Sequence, residues 1–212
     1  MTNSLNRSTG FAERLLRERV RLPSGAVSEF DAWGPLAALI GEWEGDEGLD
    51  VSYSNEKGTV AETPFREKMT LKPFGPVDNG PQCLYGLDYR TAAWRGDEEN
   101  PFHTEVGYWL WDAADSHVMR CFMVPRGSTI LAGGQAEATA TEFAMAADCG
   151  SEVFGILSNP FLARSARTSR YEVTIAVAED GSWTYDETTV IEHAKVTDIV
   201  SHTDRNRMRK VS

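Results

Sequence analysis

Histidine is the side chain best suited to hold a metal or move a proton near neutral pH, and the chain has four: His103, His117, His193 and His202. Their spacing forms no metal-ligand cluster, so they do not read as an all-protein metal centre. One imidazole can still hold a metal when a macrocycle supplies the other ligands. His202 follows the apolar pair Ile199-Val200 near the C-terminus and is either such a ligand or a solvent-facing imidazole. His103 stands two residues before Glu105; the pair is either a working acid–base couple or a surface ion pair. His117 and His193 abut turn signals and read as solvated. Glu67 is the one polar residue on the inward face of the Phe65, Met69, Leu71 alternation, and reads as a pocket acid or as half of a buried ion pair. Arg164 and Arg167 precede a strand and either remain in solvent or reach a ligand carboxylate. Tyr85, Tyr89, Tyr108, Trp109 and Met123 line a cavity or form plain core. There is no Gly-x-Ser-x-Gly elbow, phosphate-cradling glycine loop or His-Glu-x-x-His.

The elements that must position these residues are strands. Phe65, Glu67, Met69 and Leu71 interleave with Arg66, Lys68, Thr70 and Lys72, the period of a half-buried strand. Tyr171, Val173, Ile175 and Val177 repeat that pattern, and Asp180-Gly181 signals a hairpin to Trp183–Glu192. Further strands are expected over 42–53, 82–92, 102–111, 117–124, 129–134, 137–146, 152–157 and 196–211. Segments 73–81 and 159–165 read as loops. Strand 102–111 is aromatic on both faces, so its inward face stays undecided. Strands at this spacing, about ten in all and without crossover helices between them, imply an all-β closed antiparallel up-and-down barrel. Short helical segments precede it: one over 10–20, capped by Ser8 or Thr9, and a turn over 30–39 interrupted at Gly34-Pro35. We therefore divide the chain into a helical extension, 1–35, packing on a ligand-binding barrel, 36–212. Gly41-Glu-Trp-Glu-Gly45 should open the first strand, with Trp43 plugging one barrel end beneath an arginine of the last strand: Arg205, Arg207 or Arg209.

A chain of 212 residues with 41% apolar content supports one ample core. The net charge of −11 argues against nucleic acid or an anionic membrane as partner. No apolar stretch is long enough to span a bilayer, and the N-terminus lacks a signal peptide's apolar core. Three cysteines cannot all pair, which suits a reducing, cytoplasmic setting.

Three segments together resemble the nitrobindins, a family of haem-binding β-barrels. Gly41-Glu-Trp-Glu-Gly45 resembles their Gly-x-Trp-x-Gly-x-Gly signature, and Phe102-His-Thr-Glu-Val-Gly-Tyr-Trp109 their His-x-Glu-x-Gly-Tyr-(Trp/Phe) strand. Ile199-Val-Ser-His202 falls where the family places its iron-ligating histidine. The chain departs from the pattern at Glu47, where a third glycine is expected, and at Thr203, where the family has leucine; the run Asp204-Arg205-Asn206 is also more polar. The resemblance implies a ten-stranded barrel holding haem b, with His202 on the iron, His103 as a second pocket histidine near the haem edge, and Arg164 at a propionate. It further implies nitric oxide binding and isomerisation of peroxynitrite to nitrate. The rival expectations are a carrier of an apolar small molecule, such as a fatty acid or tetrapyrrole, and an enzyme using Glu67 or the His103–Glu105 pair on another substrate.

Overall fold

The computed structural model describes residues 30–194, 196 and 200–211. The helix expected over 10–20 lies outside the described residues. Asp31–Leu39 forms a tight 3-10 segment, kinked at Gly34 as the Gly-Pro pair implied. Gly34 has φ 53, and a Cβ there would stand 2.5 Å from the Trp111 indole, so only glycine lets this segment lie down on the barrel end.

Eleven strands follow. They are β1 (Gly41–Ser54), β2 (Thr59–Asn79), β3 (Gln82–Arg95), β4 (His103–Asp112), β5 (His117–Val124) and β6 (Ser128–Gln135). Next come β7 (Glu142–Cys149), β8 (Gly155–Ser158), β9 (Ala166–Val177), β10 (Trp183–His193) and β11 (Val200–Lys210). They close into a barrel in the order β1-β11-β10-β9-β7-β8-β6-β5-β4-β3-β2, with β1 pairing both β2 and β11. Closure leaves no free edge. The closed barrel is therefore as expected, with one local difference: β8 runs parallel to β7, pairing Asp148 with Gly155 and Cys149 with Ile156. After β7 the chain turns at Gly150 and resumes in the same direction, wedging β8 between β6 and β7. The two strands it separates keep one bridge, Gly133 to Ala146.

Two expected loops are structured. β2 continues through 73–79, with a register shift between Phe74 and Val77 absorbing the prolines. Residues Pro160–Ser165 form a short helix because Asn159 Oδ1 accepts from the Phe161 and Leu162 backbone N–H groups and Pro160 suits the first turn.

One end of the barrel is a dry plug. Trp43 is fully buried, its Nε1 donates to the Leu39 carbonyl at 2.8 Å, and its ring meets Trp183 edge-on at 5.8 Å. Leu36, Leu39, Leu71, Leu87, Trp111 and Met208 belong to the same buried cluster. The cation over Trp43 is Lys210, 5.7 Å from the ring, and not one of the three arginines. Strand alternation explains the difference: the inward face of β11 is the even-numbered one, so Arg207 turns out to Asp180 and Ser182, and Arg209 to Asp46 and Glu47. Trp43→Ala leaves a cavity at the plugged end; it should lower unfolding free energy by about 3–5 kcal/mol in urea titrations, with little change in slope.

Candidate functional site

Strand parity decides what the barrel interior contains. On β4 the odd residues point inward: His103, Glu105, Trp109 and Trp111. Tyr108 and Val106 are exposed on the outer wall, as is Met123 on β5. Of the residues expected to line a cavity, Tyr89 and Trp109 are buried inside, Tyr85 packs against Trp33, and Tyr108 and Met123 are outside. Inside β11 stand Val200, His202, Asp204, Asn206 and Met208 in sequence from the open end to the plug.

At mid-depth Arg120 crosses the barrel. Its Nη2 donates to Glu105 Oε2 at 2.6 Å and to Tyr89 Oη at 2.8 Å. Its Nη1 donates to Glu187 Oε2 at 2.7 Å and to Tyr171 Oη. Both tyrosine hydroxyls in turn donate hydrogen bonds to those carboxylates, at 2.6 and 2.8 Å. The guanidinium also lies 4.4 Å from the Phe122 ring centre and 5.2 Å from that of Trp109. Burial works against ionising Glu105, but Arg120 and His103 more than offset it and hold the carboxyl at about 2. Burial pushes Glu187 upward, and the nearby Glu105 and Asp204 charges add to that, against the pull of Arg120.

Glu67 sits apart from this cation. Thr91 Oγ1 donates to it at 2.6 Å, Tyr185 Oη at 2.7 Å and Asn206 Nδ2 at 3.2 Å. Burial raises its pKa beyond what these donors counteract. The buried ion pair considered for Glu67 exists elsewhere, between Arg120 and Glu105.

The end opposite Trp43 is polar. His202 faces inward, and its Nε2 lies 2.8 Å from Asp50 Oδ2 and 2.9 Å from Asp204 Oδ2. Asp50 and Asp204 are direct cross-strand partners on β1 and β11, and Ser52 Oγ donates to Asp50 Oδ1 at 2.6 Å. Burial works against the imidazolium, but the two carboxylates overcome it and raise the His202 pKa from 6.5 to about 10. Asp50 is held low: burial opposes ionisation, and the hydrogen bonds from His202 and Ser52 prevail. His103 makes a 3.0 Å contact to Glu105 Oε1, so that pair is real, but its carboxylate is buried and tied to Arg120. Burial works against the His103 imidazolium, but Glu105, helped by Glu187 and Asp204, outweighs it and raises the pKa. The two histidines therefore share one acidic mouth.

Arg164 lies exposed on the short helix Pro160–Ser165, which feeds into β9 at the mouth end, and it makes no ion pair among the described residues. Arg167 pairs with Glu192 on the outside. His117 and His193 are half-buried rather than solvated, because each ring packs on an aromatic: Phe154 for His117, Tyr53 for His193. A groove of about 370 Å³ lies on the outer wall, among Gly133, Ala144, Glu172, Thr174 and Asp186, and contains none of these residues.

Sequence reading missed Arg120, Glu187, Asp50 and Asp204. Arg120 carried a usable signal: it alternates with Val118 and Phe122, just as Glu67 does within its own strand.

A profile of the THAP4-like, heme-binding β-barrel domain matches residues 32–210. The chain belongs to that family, which is nitrobindin-like. The crystal structure of Rv2717c from M. tuberculosis is similar to this family member over 84% of this chain and 97% of that one. The TM-score is 0.61 and the identity 16%, a likeness of fold. No curated protein matches the chain. No described helix is long and apolar enough to cross a membrane.

A group whose pKa is raised on folding stabilises the fold below its unfolded value and loses that contribution as pH rises through the folded value. For His202 the window runs from 6.5 to about 10. Urea unfolding at stepped pH should show stability falling across this window in the wild type, and a shallower fall in His202→Ala.

Proposed function

We propose that the protein binds haem b at the mouth of its barrel, with His202 as the axial ligand. The observation that carries this reading is the His202 ring itself. It projects inward from the closing strand, its Nε2 is fixed by Asp50 and Asp204, and no hydrogen bond reaches its Nδ1 among the described residues. One nitrogen anchored on a carboxylate and the other free is the arrangement of a metal-ligating imidazole. The donor set thus fits an iron held through Nδ1.

The surrounding residues then have distinct tasks. Asp50 and Asp204 fix the ring and make it a stronger donor. His103, held by Glu105, offers a proton-bearing nitrogen at the rim. Arg164, exposed and unpaired among the described residues, suits a propionate. Phe65 and Phe102 stack edge-on at 6.0 Å near the start of β4 and supply apolar surface beside His103. When bound, haem supplies a Lewis-acidic iron with one open position for a small ligand. We assign nitric oxide and peroxynitrite as the candidate ligands, and conversion of the latter to nitrate as the candidate reaction. The carboxylates at the mouth oppose an anion and leave neutral nitric oxide unhindered, so nitric oxide is the better supported of the two.

The alternative, a fatty-acid carrier, has less support. A carboxylate guest needs a free interior cation, and Arg120 is already engaged by Glu105 and Glu187.

Haemin titration followed by the Soret band tests the reading. Wild type should saturate at one haemin per chain, with affinity rising as pH climbs from 7 towards 10, because ligation displaces the Nδ1 proton. His202→Ala should lose the shifted Soret band. Identical spectra for the two proteins would remove His202 as the ligand.

A further inference from the structure

We propose that Asp50, His202 and Asp204 form a site for a divalent first-row transition cation that needs no porphyrin. The inference goes beyond the haem reading and uses the opposite nitrogen of His202.

The carboxylates do not come together by chance of surface crowding. Asp50 and Asp204 face each other directly across the β1–β11 ladder, on the inward side of the barrel. Like charges in that position repel, and they are tolerated when a cation lies between them. Arg120 is committed to Glu105 and Glu187, and no lysine or arginine pairs with Asp50 or Asp204 among the described residues. The group that faces both carboxylates is His202 Nε2, and a metal ion among the three would offset their repulsion.

The distances suit the exchange. Adjacent ligand atoms of an octahedral ion at about 2.1 Å stand about 3.0 Å apart. The Nε2 contacts to the two carboxylates are 2.8 and 2.9 Å, and all three ligand atoms lie within 4.8 Å of one another. The two Nε2 contacts are thus already close to the spacing of neighbouring ligand atoms around such an ion. Ser52 fixes the far oxygen of Asp50 and leaves Oδ2 directed at His202, as an outer-sphere hydrogen bond does in a metal site. Side-chain exposures of 28% for His202, 9% for Asp50 and 21% for Asp204 leave room for water to complete the coordination shell. One imidazole with two carboxylates selects manganese, iron(II), cobalt or zinc over the all-oxygen preference of calcium and magnesium. Two anionic ligands and a neutral imidazole also balance a divalent charge.

Cobalt(II) is the probe. The full chain, stripped with chelator, is titrated with Co²⁺ while its visible ligand-field absorption is recorded; no haem is present, so the outcome is independent of the Soret test. Wild type should bind one ion per chain. Asp50→Asn and Asp204→Asn should each bind at least about tenfold more weakly, whereas Asp46→Asn, on the outer surface, should match wild type. In the wild type, bound Co²⁺ should shift and broaden the imidazole resonances of His202 and leave those of His117 unmoved, a readout that requires no variant to fold. Absence of binding at millimolar Co²⁺, wild-type affinity in both asparagine variants, or unmoved His202 resonances would each overturn the proposal.

Discussion

The guanidinium of Arg120, sunk in the middle of the barrel, is the interaction that the interior is built to satisfy. A lone cation at that depth would be destabilising by several kcal/mol. Here each terminal nitrogen meets a carboxylate and a tyrosine hydroxyl, and aromatic faces fill the remaining sides. The partners come from β3, β4, β9 and β10, while Arg120 belongs to β5. One side chain thus links strands from opposite walls. Side chains alternate with period two, so a one-residue slip in any of these strands would send its partner outside and strand the charge. The network makes a poor source of net stability but a strong selector of register.

That constraint divides the barrel into two unlike halves. Below Arg120 the interior is apolar and closed by Trp43, Leu39 and Trp111 under the 3-10 segment. Above it the inward residues include Asp50, Asp204, His103 and His202, with the apolar Phe65 and Val200 beside them. The solvent-accessible imidazoles of the interior, His103 and His202, both lie in the upper half. Glu67 marks the boundary: it lies beside Asn206 and Tyr185, with Met69 and Met208 two positions further along β2 and β11, and burial raises its pKa.

Much of this was legible in the amino acids, and the reasons for the rest are physical. The alternations in 65–71 and 171–177 announce strands because half-buried sheet has a two-residue period, and a series of them without crossovers implies closure. The Gly34-Pro35 kink and the Trp43 plug follow from residue type. The inward face of β4 could not be read, since Tyr108, Trp109, Leu110 and Trp111 are all large and apolar; the partner strand decided it. The parallel β7–β8 pair rests on where the chain resumes after Gly150, and no local signal records that. His202 was visible as an imidazole on the closing strand. Its clamp was not, because Asp50 lies 152 residues away and joins it only when β1 and β11 meet.

The clamp also reorders the electrostatics of the mouth. The chain carries a net charge of −11, and the mouth does not reverse that sign locally. Asp50, Asp204, Glu105 and Glu187 converge there against Arg120 and two imidazoles, and Arg120 is spent on Glu105 and Glu187. Even with both imidazoles protonated, four carboxylates outnumber the three cations by one, and losing either ring proton widens the imbalance. Such a field attracts cations and repels anions, increasingly so as pH rises. A guest that enters must therefore be neutral, or bring positive charge, or meet its anionic groups with residues outside the rim, where Arg164 stands. The same carboxylates that hold the His202 ring in place thus set which charges the barrel can admit.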